Sequence, residues 1–323
     1  MTYFTFATIT YNHKDYIIEH LESIKYQIEN YGKGISCNLV VSDDHSTDNT
    51  ISLVNSWLET NRGLFADVRV IVPDHNQGIV KNYLQCINAV ETDDFKLLAG
   101  DDLYASNNIF ELFGMEDSNF VITAPMRISG GKIKDIAINS VHPFINLFGS
   151  RDLYGKINKE LAYEKPFITP ATFFKKALIT PEIVKTLQQY KWIEDVPLFH
   201  CFFQDNRTKP VLVKKPYVLY RVGSGVTTKQ KTHTKTEYEI EEAAIRKKYV
   251  WKAASMPRYL NPWFYLKALR RAKYKIAAKK NGSEVSLFLN DMVNERNKAS
   301  EYYSVISSRK QEFLDIYRSE ETL

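Results

Sequence analysis

The acidic residues of this chain gather in three places that could do chemistry. Asp43, Asp44 and Asp48 lie in VVSDDHSTDNT, Asp101 and Asp102 in LLAGDDLY, and Glu194 and Asp195 in WIEDVPLF. Adjacent carboxylates repel, so a pair set in a buried cleft calls for a cation, and a hard oxygen donor set selects Mg2+ or Mn2+. Such a metal takes phosphate oxygens as further ligands. An aspartate accepts hydrogen bonds and cannot donate them, which suits a base N–H or a ribose hydroxyl. Asp43, Asp44, Asp101 and Asp102 together predict a site for a nucleoside diphosphate. Glu194 and Asp195 form a further adjacent carboxylate pair. Each cluster also has a plainer reading as a turn, a helix cap or a helix N-terminus. Asp93 and Asp94, which precede a strand, are read as such a turn.

These residues need elements that bring them together. Residues 2–10, 37–42, 67–72 and 95–99 are short apolar or β-rich runs of strand length. Between them, Ile17, Leu21, Ile24 and Ile28 recur at helical spacing, as do Ile51, Val54 and Leu58 after a Ser46 cap, and Ile79, Tyr83, Leu84, Ile87 and Val90. Four alternations of strand and helix predict an α/β fold, a mostly parallel sheet flanked by helices. Ligands of such sheets bind beyond the carboxyl ends of the strands, where the strand order reverses. Thr10, Tyr11 and Asn12 follow the first strand, Asp43 and Asp44 the second, and Asp101 and Asp102 the fourth, so three loops converge on one edge. From 105 to about 225 short strands, turns and a helix near 181–190 are expected. Thr227–Lys235 reads as an exposed loop or hinge, and the remainder as helical.

Composition narrows the classes further. With 44% hydrophobic and 25% charged residues in 323, the chain can bury a core and is neither disordered nor fibrous. No apolar run reaches transmembrane length, the opening MTYFTFATITYNHKDY lacks a signal-peptide pattern, and Cys37, Cys86 and Cys201 have no metal or disulfide spacing. These features predict a cytoplasmic protein. There is no GxGxxG turn, no GxxxxGK[ST] loop and no GxSxG elbow, which sets aside dehydrogenase, P-loop and serine-hydrolase chemistry. The net charge of +5 is local, because the twelve Lys and Arg of Arg246–Lys280 have no Asp or Glu among them and their removal leaves −7 elsewhere. An evenly basic nucleic-acid surface is therefore not expected.

The motifs, in this order, resemble those of glycosyltransferase family 2 proteins of GT-A fold, a Rossmann-like architecture, over roughly residues 1–225. Thr10-Tyr11-Asn12 is similar to the family's first nucleotide loop and VVSDDHSTDNT to its VVDDGSTDGT segment. Asn76-Gln77-Gly78 with Asn82 resembles NxGxxxARN, with Lys81 in place of the usual Arg. LLAGDDLY resembles the aspartate motif, WIEDVPLF the ED motif, and YRVGSGVTT, which contains Arg221, a closing loop. The resemblance implies a nucleotide-activated sugar as donor, UDP-linked in preference, a divalent Mn2+ or Mg2+ on its diphosphate, and inversion at the anomeric carbon. It implies that Asp43 and Asp44 meet base and ribose, Asp101 the ribose and Asp102 the metal, that Thr10, Tyr11, Asn12, Asn76, Gly78, Lys81 and Arg221 line the donor site, and that Asp195 is the base with Glu194 beside it. The acceptor implied is a glycan, lipid-linked or glycoprotein carbohydrate.

Ala99 stands where many family members have the first Asp of a DxD triplet, which leaves metal binding to Asp102 alone or with water. A transferase-like module without turnover is therefore one rival. A sugar-nucleotide nucleotidyltransferase is another, although TITYNHKD lacks the Gly-rich basic loop of that class. The expected organisation is a catalytic domain over 1–228, with a nucleotide half (1–104) and an acceptor and base half (105–228), followed by a basic helical extension over 229–323. Within 246–280, aromatics beside lysines suit peripheral contact with the inner face of a membrane, packing on the catalytic domain or a second subunit, or recruitment of an anionic acceptor.

Overall fold

The computed structural model describes residues 2–115, 117–134, 138–163, 165–204, 206–223, 236–249, 260 and 262–321. Its first third runs β1 (Thr2–Thr10), α1 (Ile17–Tyr31), β2 (Ile35–Asp43), α2 (Thr50–Asn61), β3 (Asp67–Ile71), α3 (Ile79–Ala89) and β4 (Phe95–Ala99). The four strands pair in parallel in the order β3-β2-β1-β4, so the order reverses between β1 and β4. Thr10 is level with Asp43 and Ile9 with Ala99, which brings the strand ends to one edge. Successive side chains of a strand point to opposite faces, and both faces of this sheet are covered. Phe4 and Phe6 share a buried cluster with Ile17, Leu21 and Trp57 of α1 and α2, while Ala7 and Val40 pack with Val80, Leu84 and Ile87 of α3.

The Ser46 cap is not what forms. Thr50 begins α2, and its N–H is met by Asp48 at 3.0 Å. The Ser46 hydroxyl instead binds the Asp43 carboxylate and accepts from the N–H of Asn12 at 2.8 Å. An acceptor two residues from the first helical N–H outcompeted one four residues away, and this released Ser46 to join the loops after β1 and β2.

The next part carries β5 (Leu103–Tyr104), β6 (Phe120–Thr123), β7 (Met126–Ser129), β8 (Lys132–Ile133), α4 (Ile138–Ile145), α5 (Leu153–Leu161), β9 (Thr172–Phe174), α6 (Pro181–Leu187), α7 (Asp195–Phe202), β10 (Pro210–Val213) and β11 (Val218–Arg221). Two small sheets result, β10-β6-β9 and β5-β11-β7-β8. Phe120 of β6 meets Phe199 and Phe202 of α7 edge-on, with ring centres 5.9 and 6.0 Å apart. That contact fixes the helix that begins at Asp195.

Three further helices follow, α8 (Glu237–Tyr249), α9 (Pro262–Lys279) and α10 (Glu284–Glu321). Val285, Phe288, Met292, Tyr302 and Ile306 of α10 belong to the same buried cluster as Phe120, so the last helix completes the core. Leu287 and Val293 are exposed because only one stripe of so long a helix can face inward. The expected hinge at 227–235, residues 224–228 of the closing loop, Pro257, Tyr259 and the Trp263 side chain lie outside the described residues. Among the described residues no helix is long and apolar enough to cross a membrane.

Candidate active site

The carboxyl edge of the sheet is built from three loops that hold one another. Asn12, in the left-handed region at φ 55°, accepts from the N–H of Thr47 at 2.8 Å. The N–H of Asp44 donates to the carbonyl of Thr10 at 2.9 Å. Asp44 then reaches to the third loop, where its two oxygens take the N–H groups of Gln77 and Gly78 at 2.7 and 2.9 Å. Gly78 has φ 92°, and a Cβ there would lie 2.8 Å from Lys191 Cγ, so only glycine lets this loop rest on the segment before Glu194. Asp43 is buried; burial raises its carboxyl above the usual range, and the Ser46 hydroxyl and N–H oppose that rise. Tyr11, Asn76 and Lys81 are exposed around this edge.

The aspartate turn is packed from below. A Cβ at Gly100 would lie 2.9 Å from Ile17 and 3.1 Å from Thr10 Oγ1, so the turn sits directly on the end of β1. His20 holds it from one side, 2.7 Å from the carbonyl of Asp102 and 2.8 Å from the Thr8 hydroxyl. Burial lowers the His20 pKa to about 4, so the ring is neutral; because a carbonyl only accepts, Nδ1 carries the proton and Nε2 accepts from Thr8. Arg221 holds the turn from the other side. Its N–H donates to Asp102 Oδ1 and its Nε to the carbonyl of Asp101, both at 2.7 Å.

Two of the expected donor contacts are thereby engaged within the fold. The Arg221 guanidinium is buried, ion-paired with Glu19 and stacked on the Tyr16 ring at 4.5 Å. Asp102 is 2% exposed and Asp101 8%. Burial, and then the charge of Asp101, raise the Asp102 carboxyl well above the usual range. Among the described residues no group of three His, Cys, Asp or Glu could hold a metal by itself.

Asp195 opens α7 and is ion-paired with Lys165, while the Thr169 hydroxyl donates to the same oxygen at 3.0 Å. Burial would raise this carboxyl, but Lys165 and Thr169 together hold it below the ordinary value. Burial, and then the charge of Asp195, push Glu194 up to about 7. The preceding loop is fixed from α8, where the Glu241 carboxylate accepts the N–H groups of Lys191, Trp192 and Ile193 at 2.8 to 2.9 Å. Tyr220 precedes Arg221 on β11. Its phenol is raised first by burial and then by the charges of Asp102, Asp101 and Asp195, with Arg127 acting against them. A cavity of about 240 Å³ bounded by Thr123, Arg127, Phe144, Lys165 and Phe167 adjoins Asp195 through Lys165. Among the described residues, Thr10 Oγ1, Asn82 Oδ1, Tyr83 OH and Arg127 Nε are buried without a hydrogen-bond partner, and buried polar atoms of this kind call for one.

Lys165, Thr169, Arg127 and Tyr220 were missed as site residues. Lys165 lies 30 positions from Asp195 in a segment without periodicity, and only Tyr220 had a signal, as the neighbour of Arg221.

The Glu194 shift sets a pH dependence. An acid protonated up to about 7 when folded, against about 4.5 when unfolded, stabilises the fold fully below 4.5, and that contribution is lost as pH rises through 7. His20 works in the opposite sense, since a pKa of about 4 against 6.5 adds stability as pH rises through that interval. Glu194→Gln removes the first contribution alone. Its melting temperature relative to the wild type should rise between pH 5 and pH 8, and a constant difference would contradict the raised carboxyl.

A parallel sheet whose order reverses between β1 and β4, beside an aspartate turn, is the architecture of an α/β fold that takes its ligand at the carboxyl edge of the strands. The model of glycosyl transferase family 2 matches residues 5–179, more than half of the chain, and the chain belongs to that family. Its structure is similar to that of S. aureus TarS 1-349 in complex with UDP, at 16% identity and a TM-score of 0.51, covering 96% of this chain and 92% of that one. The complex of TarS 1-349 with UDP-GlcNAc aligns at 17% identity and a TM-score of 0.51, covering 98% and 90%. No curated protein matches the chain.

Proposed function

We propose that this glycosyltransferase moves a sugar from a nucleotide diphosphate sugar, UDP-linked in preference, to a hydroxyl of a carbohydrate-containing acceptor, with inversion and with Asp195 as general base. The observation that carries the reading is the loop after β3, which binds the donor edge through the Gln77 and Gly78 N–H groups on Asp44 and reaches the segment before Glu194 through the Val80 N–H on the Lys191 carbonyl at 3.1 Å. A donor held by its diphosphate at the turn would then present its anomeric carbon toward the base. Direct attack with a base on the far side of the leaving group gives inversion. The cavity beside Lys165 has room for an acceptor ring, and its acceptor would be a glycan, lipid-linked or glycoprotein carbohydrate.

The donor set fits a metal carried by the nucleotide. Mg2+ and Mn2+ need only one or two carboxylates when phosphates and water supply the rest, and the raised Asp102 carboxyl beside Asp101 marks a place where added positive charge is favourable. Asp101 is proposed to face the metal, with Asp102, buried and bonded to the Arg221 N–H, supporting the turn beneath it. When bound there, the cation neutralises charge on the departing diphosphate. Asp44, through Gln77 and Gly78, shapes the base and ribose side of the site.

Incubating the protein with UDP-GlcNAc, other UDP-sugars and GDP-Man, with Mn2+ or with EDTA, tests the reading. Slow metal-dependent release of the nucleotide from one donor is the expected result. Nucleotide binding without release from any donor, with or without acceptor glycans, would instead favour the module without turnover that Ala99 suggests.

A further inference from the structure

Among the described residues, α9 meets the rest of the protein with one face. On α9, Arg270 pairs with Glu160 at 3.0 Å, the Tyr274 hydroxyl donates to Asn146 at 2.9 Å, and Ala277 and Ala278 pack against the core. This inner stripe rests on α4 and α5. The opposite stripe, Tyr265, Leu269, Ala272 and Ile276, repeats at helical spacing and faces away, with Leu269 67% and Ile276 71% exposed. Lys275 and Lys279 border it on one side, and Lys273 and Lys280 on the other. Among the described residues none of these four lysines makes an ion pair.

We infer that the outward face of α9 lies on an anionic lipid surface. A helix with an apolar stripe between rows of lysine inserts the stripe at the acyl boundary while the lysines reach anionic headgroups. A second copy of the chain is the poorer occupant. A two-fold contact would set this face against itself and bring its lysine rows together without an acidic partner. The location is consistent with the proposed reaction without depending on it: Lys267 and Arg270 line a cleft with Pro143 and Pro166, and the same two prolines line the cavity beside Lys165. An acceptor anchored in lipid would thus be close to the proposed base.

Co-sedimentation of the full chain with vesicles tests this. Phosphatidylcholine vesicles containing phosphatidylglycerol should pellet the protein, and phosphatidylcholine alone should not. Each lysine near the surface strengthens partition about fivefold, so Lys273→Glu, Lys275→Glu, Lys279→Glu and Lys280→Glu combined should abolish pelleting, as should high salt. Leu269→Ser with Ile276→Ser should also release the protein. All six positions are exposed, so an unchanged melting temperature confirms that the variants fold. Equal pelleting with both vesicle types, or with neither, overturns the inference. So does a solution mass that doubles with concentration and returns to monomer in the Leu269→Ser, Ile276→Ser variant, which would assign the face to a second copy.

Discussion

Asp195→Asn is expected to lower sugar transfer by about 10²–10⁴-fold, the range set by removing a general base, while nucleotide binding is unchanged. The amide matches the carboxylate in shape and still accepts from the Thr169 hydroxyl, but it cannot take a proton. It also loses the charge that pairs with Lys165. Both side chains are about a quarter exposed, so water can solvate the released ammonium and folding should survive. The ion pair has its own effect on the base: a carboxyl held below the ordinary value takes a proton less readily, so an acceptor that loosens Lys165 would raise its basicity. Initial rates with saturating donor, alongside calorimetric titration of the nucleotide, separate the two quantities. Transfer by Asp195→Asn at a rate near that of the wild type would move the base elsewhere.

The second large effect separates the two adjacent aspartates of the turn. Asp101→Asn is expected to weaken metal-dependent binding of UDP by at least about tenfold, or ~1.4 kcal/mol, with little change in stability. Asp102→Asn keeps an acceptor for the Arg221 N–H and removes a buried like charge, so it should fold and retain the metal dependence. Asp102→Ala leaves that N–H without a partner and should cost about 1–3 kcal/mol of stability. Thermal unfolding and titrations with and without Mn2+ measure both properties. Loss of metal dependence in Asp102→Asn together with its retention in Asp101→Asn would return the metal to Asp102.

How far the sequence could be read depended on the range of the interactions involved. β1 and β4 were predicted residue for residue because an apolar run flanked by turn residues is a local signal. The convergence of Asp44 and Asp101 on one edge followed from strand order, since in a parallel sheet every strand delivers its following loop to the same side. What those side chains do within the edge was not legible. Asp44 spends its oxygens on Gln77 and Gly78, and Arg221 spends its guanidinium on Glu19, a residue 202 positions away. Nothing in the spacing of either residue reports such a partner. Lys165 was invisible for the same reason: its role comes from a loop that only the aromatic cluster around Phe120 brings to α7.

The contact between α1 and α10 has a consequence for synthesis. The Lys310 ammonium lies 3.2 Å from Glu19, a residue 291 positions earlier, and the Tyr302 hydroxyl reaches the carbonyl of Tyr104, 198 positions earlier. At translation speeds of about 5–20 residues per second, Glu19 waits roughly 15–60 s on the ribosome before this second cation, beyond Arg221, exists. During that interval the first helix and strands can form, yet the surface that α10 later covers stays open to solvent. Nascent chains should therefore be targets for chaperones until the final helix has emerged, and a version truncated before Glu284 should accumulate as aggregate rather than as a smaller soluble enzyme.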